Sequence, residues 1–207
     1  MNIKKKSLQK FIMLTASACT LIFLDQFIKT LVLNNLKGQS PIVIFKDVLE
    51  FTFVGNKGIA WGMLWDKVNM VVVFTFIISA VVIAMIIRLE AINNYLKTNI
   101  PTIDKAEEEY TDTKKLIKKY SILQLLLTFL VAGAIGNLID RIRLGYVVDF
   151  IYFKLIDFPV FNMADIYVTC TIAAMFIVFV FVLSEEDFSK IYTKISNWHK
   201  GDKNDSK

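Results

Sequence analysis

Gly136-Asn137-Leu138-Ile139-Asp140-Arg141 closes a strongly apolar segment, and the reading of that junction decides the fold. Val147-Val148-Asp149-Phe150 follows shortly after it, and Phe161-Asn162-Met163-Ala164-Asp165 opens the next apolar run. Carboxylates and amides therefore gather at the ends of segments made of Leu, Ile, Val and Phe. An ionisable group at the centre of a membrane helix costs roughly 2.5–3.5 kcal/mol on the insertion scale. A chain that places several of them in one region has a use for them. The junction argues for an enzyme or a transporter over a passive anchor.

The composition agrees. Hydrophobic residues fill 55% of 207 positions and the mean hydropathy is +0.52, which with four long apolar runs means a polytopic membrane protein and no soluble domain. The net charge of +5 comes from lysines in terminal and loop segments, a pattern that suits anionic lipid headgroups. No basic stripe is interleaved with aromatics, so nucleic acid is excluded as a partner. Cys19 and Cys170 fall inside apolar runs with no CxxC, and His199 sits in a polar tail. Disulfide, zinc and histidine-based chemistries drop out. No metal or cofactor is expected, and carboxylates remain.

The expected fold is an all-α membrane domain spanning residues 1–207, with four transmembrane helices. Its spans run approximately over 11–33, 68–87, 122–139 and 163–183, each near the 20 residues that cross a bilayer core of roughly 30 Å. Gly133 and Gly136 predict close packing of the third span against a neighbour. The first span has a lysine-rich start and Ala16-Ser17-Ala18-Cys19, like a cleavable leader. Its apolar stretch continues past Cys19 to Asp25 and Lys29, so it is read as retained. Lys4, Lys5, Lys6 and Lys10, with seven basic residues in the 88–120 connection, place both termini and that connection in the cytoplasm. The connection reads as a helical cytoplasmic loop and 184–207 as a polar cytoplasmic tail. Segment 34–67 is then extracytoplasmic. Its runs Ile42–Phe45 and Leu49–Val54 predict a small β-rich element at the membrane surface. Asn56, Gly58, Ala60 and Gly62 follow as a stretch allowing close backbone approach, and Trp61 and Trp65 fit an interfacial belt.

This topology brings Asp25, Lys29, Asn137, Asp140, Arg141, Asn162 and Asp165 to the outer face, although they lie up to 140 positions apart. Each has a plain structural role open to it. Asp25 and Lys29, at i and i+4, can pair, or Lys29 can snorkel. Asp140 beside Arg141 reads as a charge-paired helix end with a supporting role. Asn162 and Asp165 have the spacing of a capping box. Asp149 is harder to explain in this way: flanked by apolar residues, it is either unpaired and raised in pKa or paired with something distant. A pair formed by Asp149 and Asp165 would share a proton near neutrality, one member acting as general base and the other as general acid.

In order, Asp25-Gln26-Phe27-Ile28-Lys29, Asn56-Lys57-Gly58-Ile59-Ala60-Trp61-Gly62, Gly133 to Arg141, Val147 to Ile151 and Phe161 to Asp165 resemble the motifs of the lipoprotein signal peptidases, the type II signal peptidases of bacteria. The resemblance covers roughly residues 10 to 184. It implies an aspartic endopeptidase of the bacterial cytoplasmic membrane. Such an enzyme removes the signal peptide of diacylglyceryl-modified prolipoproteins on the amino side of the lipidated cysteine. The substrate would enter sideways from the bilayer, and membrane lipids are the other partner. The implied catalytic residues are Asp149 and Asp165, supported by Asp25, Lys29, Asn56, Gly58, Asn137, Asp140, Arg141 and Asn162. A monomer is expected. Trp61 stands where the family usually has Phe, and the 88–120 connection and the tail are longer than usual. The alternatives are a small ion- or proton-coupled transporter, against which the crowding of polar residues at one face argues, and a lipid-binding scaffold without chemistry.

Overall fold

The computed structural model describes residues 3–58, 68–99, 107–184 and Asp187. The chain runs α1 (Ile3–Asn35), β1 (Ile42–Phe45), β2 (Leu49–Asn56), α2 (Val68–Thr98), α3 (Glu107–Leu144), β3 (Val147–Phe153) and α4 (Met163–Ile177). A π-helical turn, Val178–Val182, continues α4. All four helices are long and apolar enough to cross a membrane. Their exposed faces carry large apolar side chains, among them Phe74, Phe76, Phe176 and Phe181, as a lipid-facing surface requires. Cys19 and Cys170 are free thiols on such faces.

Helices and apolar spans are not coextensive. α2 continues to Thr98 and α3 begins at Glu107, so much of the 88–120 connection is helical extension of its flanking spans. A small apolar core of Leu96, Leu116 and Tyr120, with Leu89, Ile92 and Ile117 around it, joins the two extensions. That burial explains how helices persist where the sequence turns polar.

The β-rich element has one strand more than expected. β2 pairs antiparallel with β1 and also with β3, giving the order β1-β2-β3. Asn56 lies opposite Val147, and Val54 opposite Asp149. Gly145, at φ +77°, caps α3 through its N–H to the Arg141 carbonyl (3.1 Å) and turns the chain into β3. Val148 and Phe150 then pack on Val32 of α1 and on Leu36 just beyond it. A bridge between Ile151 and Phe161 returns the chain to the sheet just before α4. The ends of α1 and α3, the start of α4 and the sheet are thereby gathered at one end of the bundle.

Gly133 and Gly136 do what their position predicts. A Cβ on Gly133 would lie 2.6 Å from the Ala164 carbonyl oxygen, and one on Gly136 would lie 2.6 Å from Asp25 Oδ2. α3 therefore meets the backbone of α4 at Gly133 and makes room for the Asp25 carboxylate of α1 at Gly136. Ala60, Trp61, Gly62 and Trp65 lie outside the described residues, as do His199 and nearly all of the 184–207 tail.

Candidate active site

Five elements supply the polar residues at the sheet end. Asp149 sits in β3, where the first four residues are all buried. Asp165 is half-buried in the first turn of α4. Asn162 is the N-cap of α4, and the capping box is complete: Asn162 Oδ1 accepts from the Asp165 N–H (3.1 Å) and Asp165 Oδ2 accepts from the Asn162 N–H (3.2 Å). The capping role read from the spacing is real, and it also fixes where the Asp165 carboxylate stands.

Asn162 ties the two aspartates together. Its Nδ2 donates to Asp149 Oδ1 (2.6 Å) and to Asn137 Oδ1 (3.1 Å). Asn137 Nδ2 donates in turn to Asp165 Oδ1 (2.8 Å), and Asn56 Nδ2 donates to Asp149 Oδ2 (2.9 Å). Neither aspartate forms a salt bridge among the described residues. Asp149 is held by neutral amides and Asp165 by an amide and the backbone, with the charges of Arg141 and Lys29 close by but in no ion pair with them.

The cation is committed elsewhere. Lys29 lies 2.9 Å from Asp25 and 3.0 Å from Asp140, all three buried, and donates to Asn137 Oδ1 at 2.9 Å. Each of its carboxylate partners also accepts from the main chain, Asp25 from Ala164 N–H (3.0 Å) and Asp140 from Val148 N–H (3.1 Å). Lys29 does not snorkel, because two carboxylates hold it inside. The expected pairing of Asp140 with Arg141 is wrong. Adjacent residues on a helix point about 100° apart, so Asp140 turns inward to Lys29. Arg141 instead donates to the carbonyls of Asn137 (3.3 Å) and Gly58 (2.9 Å). Gly58 N–H donates to Asn56 Oδ1 (2.9 Å), so Arg141 and Asn56 together fix the end of β2 beside Asp149.

Burial is the main force on Asp149, which is 2% exposed, and the nearby charge of Asp165 adds to it. Together they push its pKa up to about 7, against the hydrogen bonds from Asn56 and Asn162 and the charge of Lys29. A carboxyl there holds its proton to a much higher pH than an exposed aspartate does.

Asp149, Asp165 and the eight supporting residues singled out from sequence are thus brought into one network. One participant was missed. Gln26 donates to the Gly136 carbonyl (3.0 Å) and Asp140 Oδ1 (2.9 Å), tying α1 to α3 beside the Lys29 cluster. Its place next to Asp25 at the end of an apolar run was the available signal.

A family model described as signal peptidase (SPase) II matches residues 17–103 and 110–181. The chain belongs to the signal peptidase II family. Among its relatives are lipoprotein signal peptidases of Enterococcus faecalis, 31% identical over 82% of this chain and 87% of that protein, and of Caldanaerobacter subterraneus, 37% identical over 71% and 81%. A solved bacterial membrane enzyme shares 26% identity at a TM-score of 0.56, covering 83% of this chain and 94% of its own. A second such structure gives 27% and 0.57. As a member of the signal peptidase II family the chain is a multi-pass membrane peptidase, and the transporter and scaffold alternatives fall away.

Proposed function

We propose that this peptidase is an aspartic endopeptidase that removes the signal peptide from diacylglyceryl-modified prolipoproteins, cutting on the amino side of the lipidated cysteine. One observation carries the reading: Asp149 and Asp165 are bridged by Asn162, held by amides and backbone, and not neutralised by the lysine beside them. The relatives' name, lipoprotein signal peptidase, supports the substrate class.

The pair holds one proton near neutrality. The ionised carboxylate takes a proton from water as its oxygen attacks the scissile carbonyl, while the protonated carboxyl donates a hydrogen bond to the carbonyl oxygen. The C–N bond then breaks as a proton passes to the leaving amine, giving a free carboxyl on the signal peptide and a free amine on the lipidated cysteine. Asn56, Asn137 and Asn162 hold the carboxylates, Arg141 and Gly58 position the substrate backbone, and Asp25, Lys29 and Asp140 fix the helices beneath. One chain supplies every group used, which supports a monomer. Lysine placement supports cytoplasmic termini and a site near the outer face, open sideways to a lipid-anchored substrate.

The test is incubation of the purified protein in mild detergent with a diacylglyceryl-modified prolipoprotein and with its unmodified form, read by gel shift. The modified substrate alone should be cut, and Asp149→Asn or Asp165→Asn should lower turnover by roughly 10²–10⁴-fold, the usual share of acid–base catalysis. Near-parental turnover in either variant would remove the dyad, and equal cleavage of both substrates would remove the lipid requirement.

A further inference from the structure

The 184–207 tail reads as polar by composition, yet its order is not that of a solvated linker. Phe188, Ile191, Tyr192, Ile195 and Trp198 recur at helical spacing, with small or basic polar residues filling the positions between them. On a helix these five positions share one side, as an apolar stripe at least roughly 100° wide.

The start of such a helix is on the page. α4 ends in its π-helical turn, Leu183 is extended, and a capping box follows. Ser184 Oγ accepts from the Asp187 N–H (3.3 Å), and Asp187 Oδ2 accepts from the Ser184 N–H (2.8 Å). Asp187 is itself helical. This first turn is seated on α3, where Lys119 holds the Asp187 carboxylate at 2.7 Å and the Tyr120 hydroxyl donates to the Asp187 carbonyl at 3.4 Å. Tyr120 and Leu116 are core residues of the paired extensions of α2 and α3, so the anchor borders an apolar core already in place.

Direction and charge identify α3 as the surface the stripe meets. α4 runs antiparallel to α3, from Ala164 at Gly133, through Met175 on the cluster of Leu127 and Val131, to Asp187 at Lys119. A helix continuing in that sense travels along α3 toward Glu107. Equal rises of about 1.5 Å per residue bring Ile191 level with Leu116 and Ile195 level with Asp112. Asp112, Leu116 and Lys119 share one face of α3 by their i, i+4 and i+7 spacing. In this register the acidic positions 185–187 come level with the basic positions 118 and 119, and Lys194 with Asp112. The bilayer surface is the poorer partner. Residues 184–200 carry three acids and three lysines, whereas a helix held in the interface relies on a basic polar face.

We propose that residues 188–198 form a helix docked antiparallel on the Asp112–Lys119 face of α3, closing the paired extensions of α2 and α3 with a third helix. Disulfide formation in the full chain, in a Cys19→Ser, Cys170→Ser background, tests this. Asp112→Cys combined with Ile195→Cys should cross-link in most molecules under mild oxidation. Lys114→Cys combined with Ile195→Cys should not, because position 114 lies about 200° around α3 from position 112. Cross-linking by neither pair, the result for a helix lying on the bilayer, or by both pairs equally would overturn the proposal. An Ile191→Glu, Ile195→Glu variant should speed amide exchange over residues 113–119 by at least about tenfold, as expected when a packed element is released. Unchanged exchange there would equally overturn it, and exchange over residues 127–140 reports that the bundle of the variant is folded.

Discussion

Lys29 and Lys10 both stand on α1, near opposite ends of the bundle, and each is built into a polar cluster with α3. Lys29 is shared between Asp25 and Asp140 and donates to the amide of Asn137. Lys10 pairs with Glu90 at 3.2 Å and donates to Ser121 (2.9 Å) and to the amide of Gln124. The Lys10 cluster closes on itself. Glu90 also accepts from Ser7 (2.8 Å) and Gln124 (3.2 Å), and Asn93 donates to Gln124 (3.0 Å), with one acid balancing one base. In the Lys29 cluster the amide does not end the chain of bonds, because Asn137 passes on to Asp165 and Asn162 passes on to Asp149. Interhelical polar bonding of the same kind thus serves cohesion at one end. At the other it presents two carboxylates that form no salt bridge among the described residues, with Arg141 and Lys29 nearby.

Removing each lysine separates the two uses. Lys29→Met strands Asp25 and Asp140 in the interior and should cost about 3–5 kcal/mol, the usual penalty for breaking a buried pair. Thermal unfolding in detergent should show a large loss, and turnover should fall with it. A stable Lys29→Met would mean that the two carboxylates do not depend on it.

The next effect is a pH dependence. Asp149 binds its proton more tightly in the fold than in the unfolded chain, where a carboxylate titrates near about 4. Its contribution therefore favours the fold at low pH and is lost as pH rises through about 7. Relative to Asp149→Asn, the parent should lose on the order of 2–3 kcal/mol of stability between pH 5 and pH 8. Any constant offset from altered hydrogen bonds cancels in that difference. Parallel melting curves across the range would show that Asp149 carries no such proton.

Lys10→Met should cost less, about 1–2 kcal/mol, because Glu90 keeps Ser7 and Gln124 and lies at the edge of the membrane. Folded Lys10→Met protein should turn over at the parental rate, so a kcat defect would erase the distinction between the clusters. The smallest change is expected for Asn93→Leu. It removes one hydrogen bond from Gln124, which still accepts from Lys10, and its melting temperature should move by less than about 1 kcal/mol equivalent. Asn137→Leu, the corresponding loss of an amide in the Lys29 cluster, should abolish turnover.

The four spans were readable because a bilayer demands long apolar runs, and the outer cluster because polar residues at the ends of those runs are costly enough to carry meaning. β3 escaped notice because Val147–Phe153 was read around its aspartate, although its β-branched and aromatic content is that of a strand. Asp140 was assigned to its sequence neighbour, where only a three-dimensional packing of α1 on α3 shows that Lys29 reaches it. The Lys10 cluster was invisible for a related reason. Gln124 sits inside an apolar run, Glu90 among loop charges and Lys10 among terminal lysines, and nothing in their spacing joins three helices.

Asn162 and Asp165 wind the first turn of α4 with the same side chains that hold the aspartates in place. The two demands cannot be met by different residues, so they cannot drift apart over evolutionary time. Glutamate at position 165 would keep the acid and lengthen the arm, shifting the carboxyl away from both the Asn162 N–H and Asn137. Serine at 162 would keep the cap and drop the bridge to Asp149. Escape routes that begin with a single exchange in this turn are therefore narrow, and a compound that engages Asn162 would meet a target with little room to change.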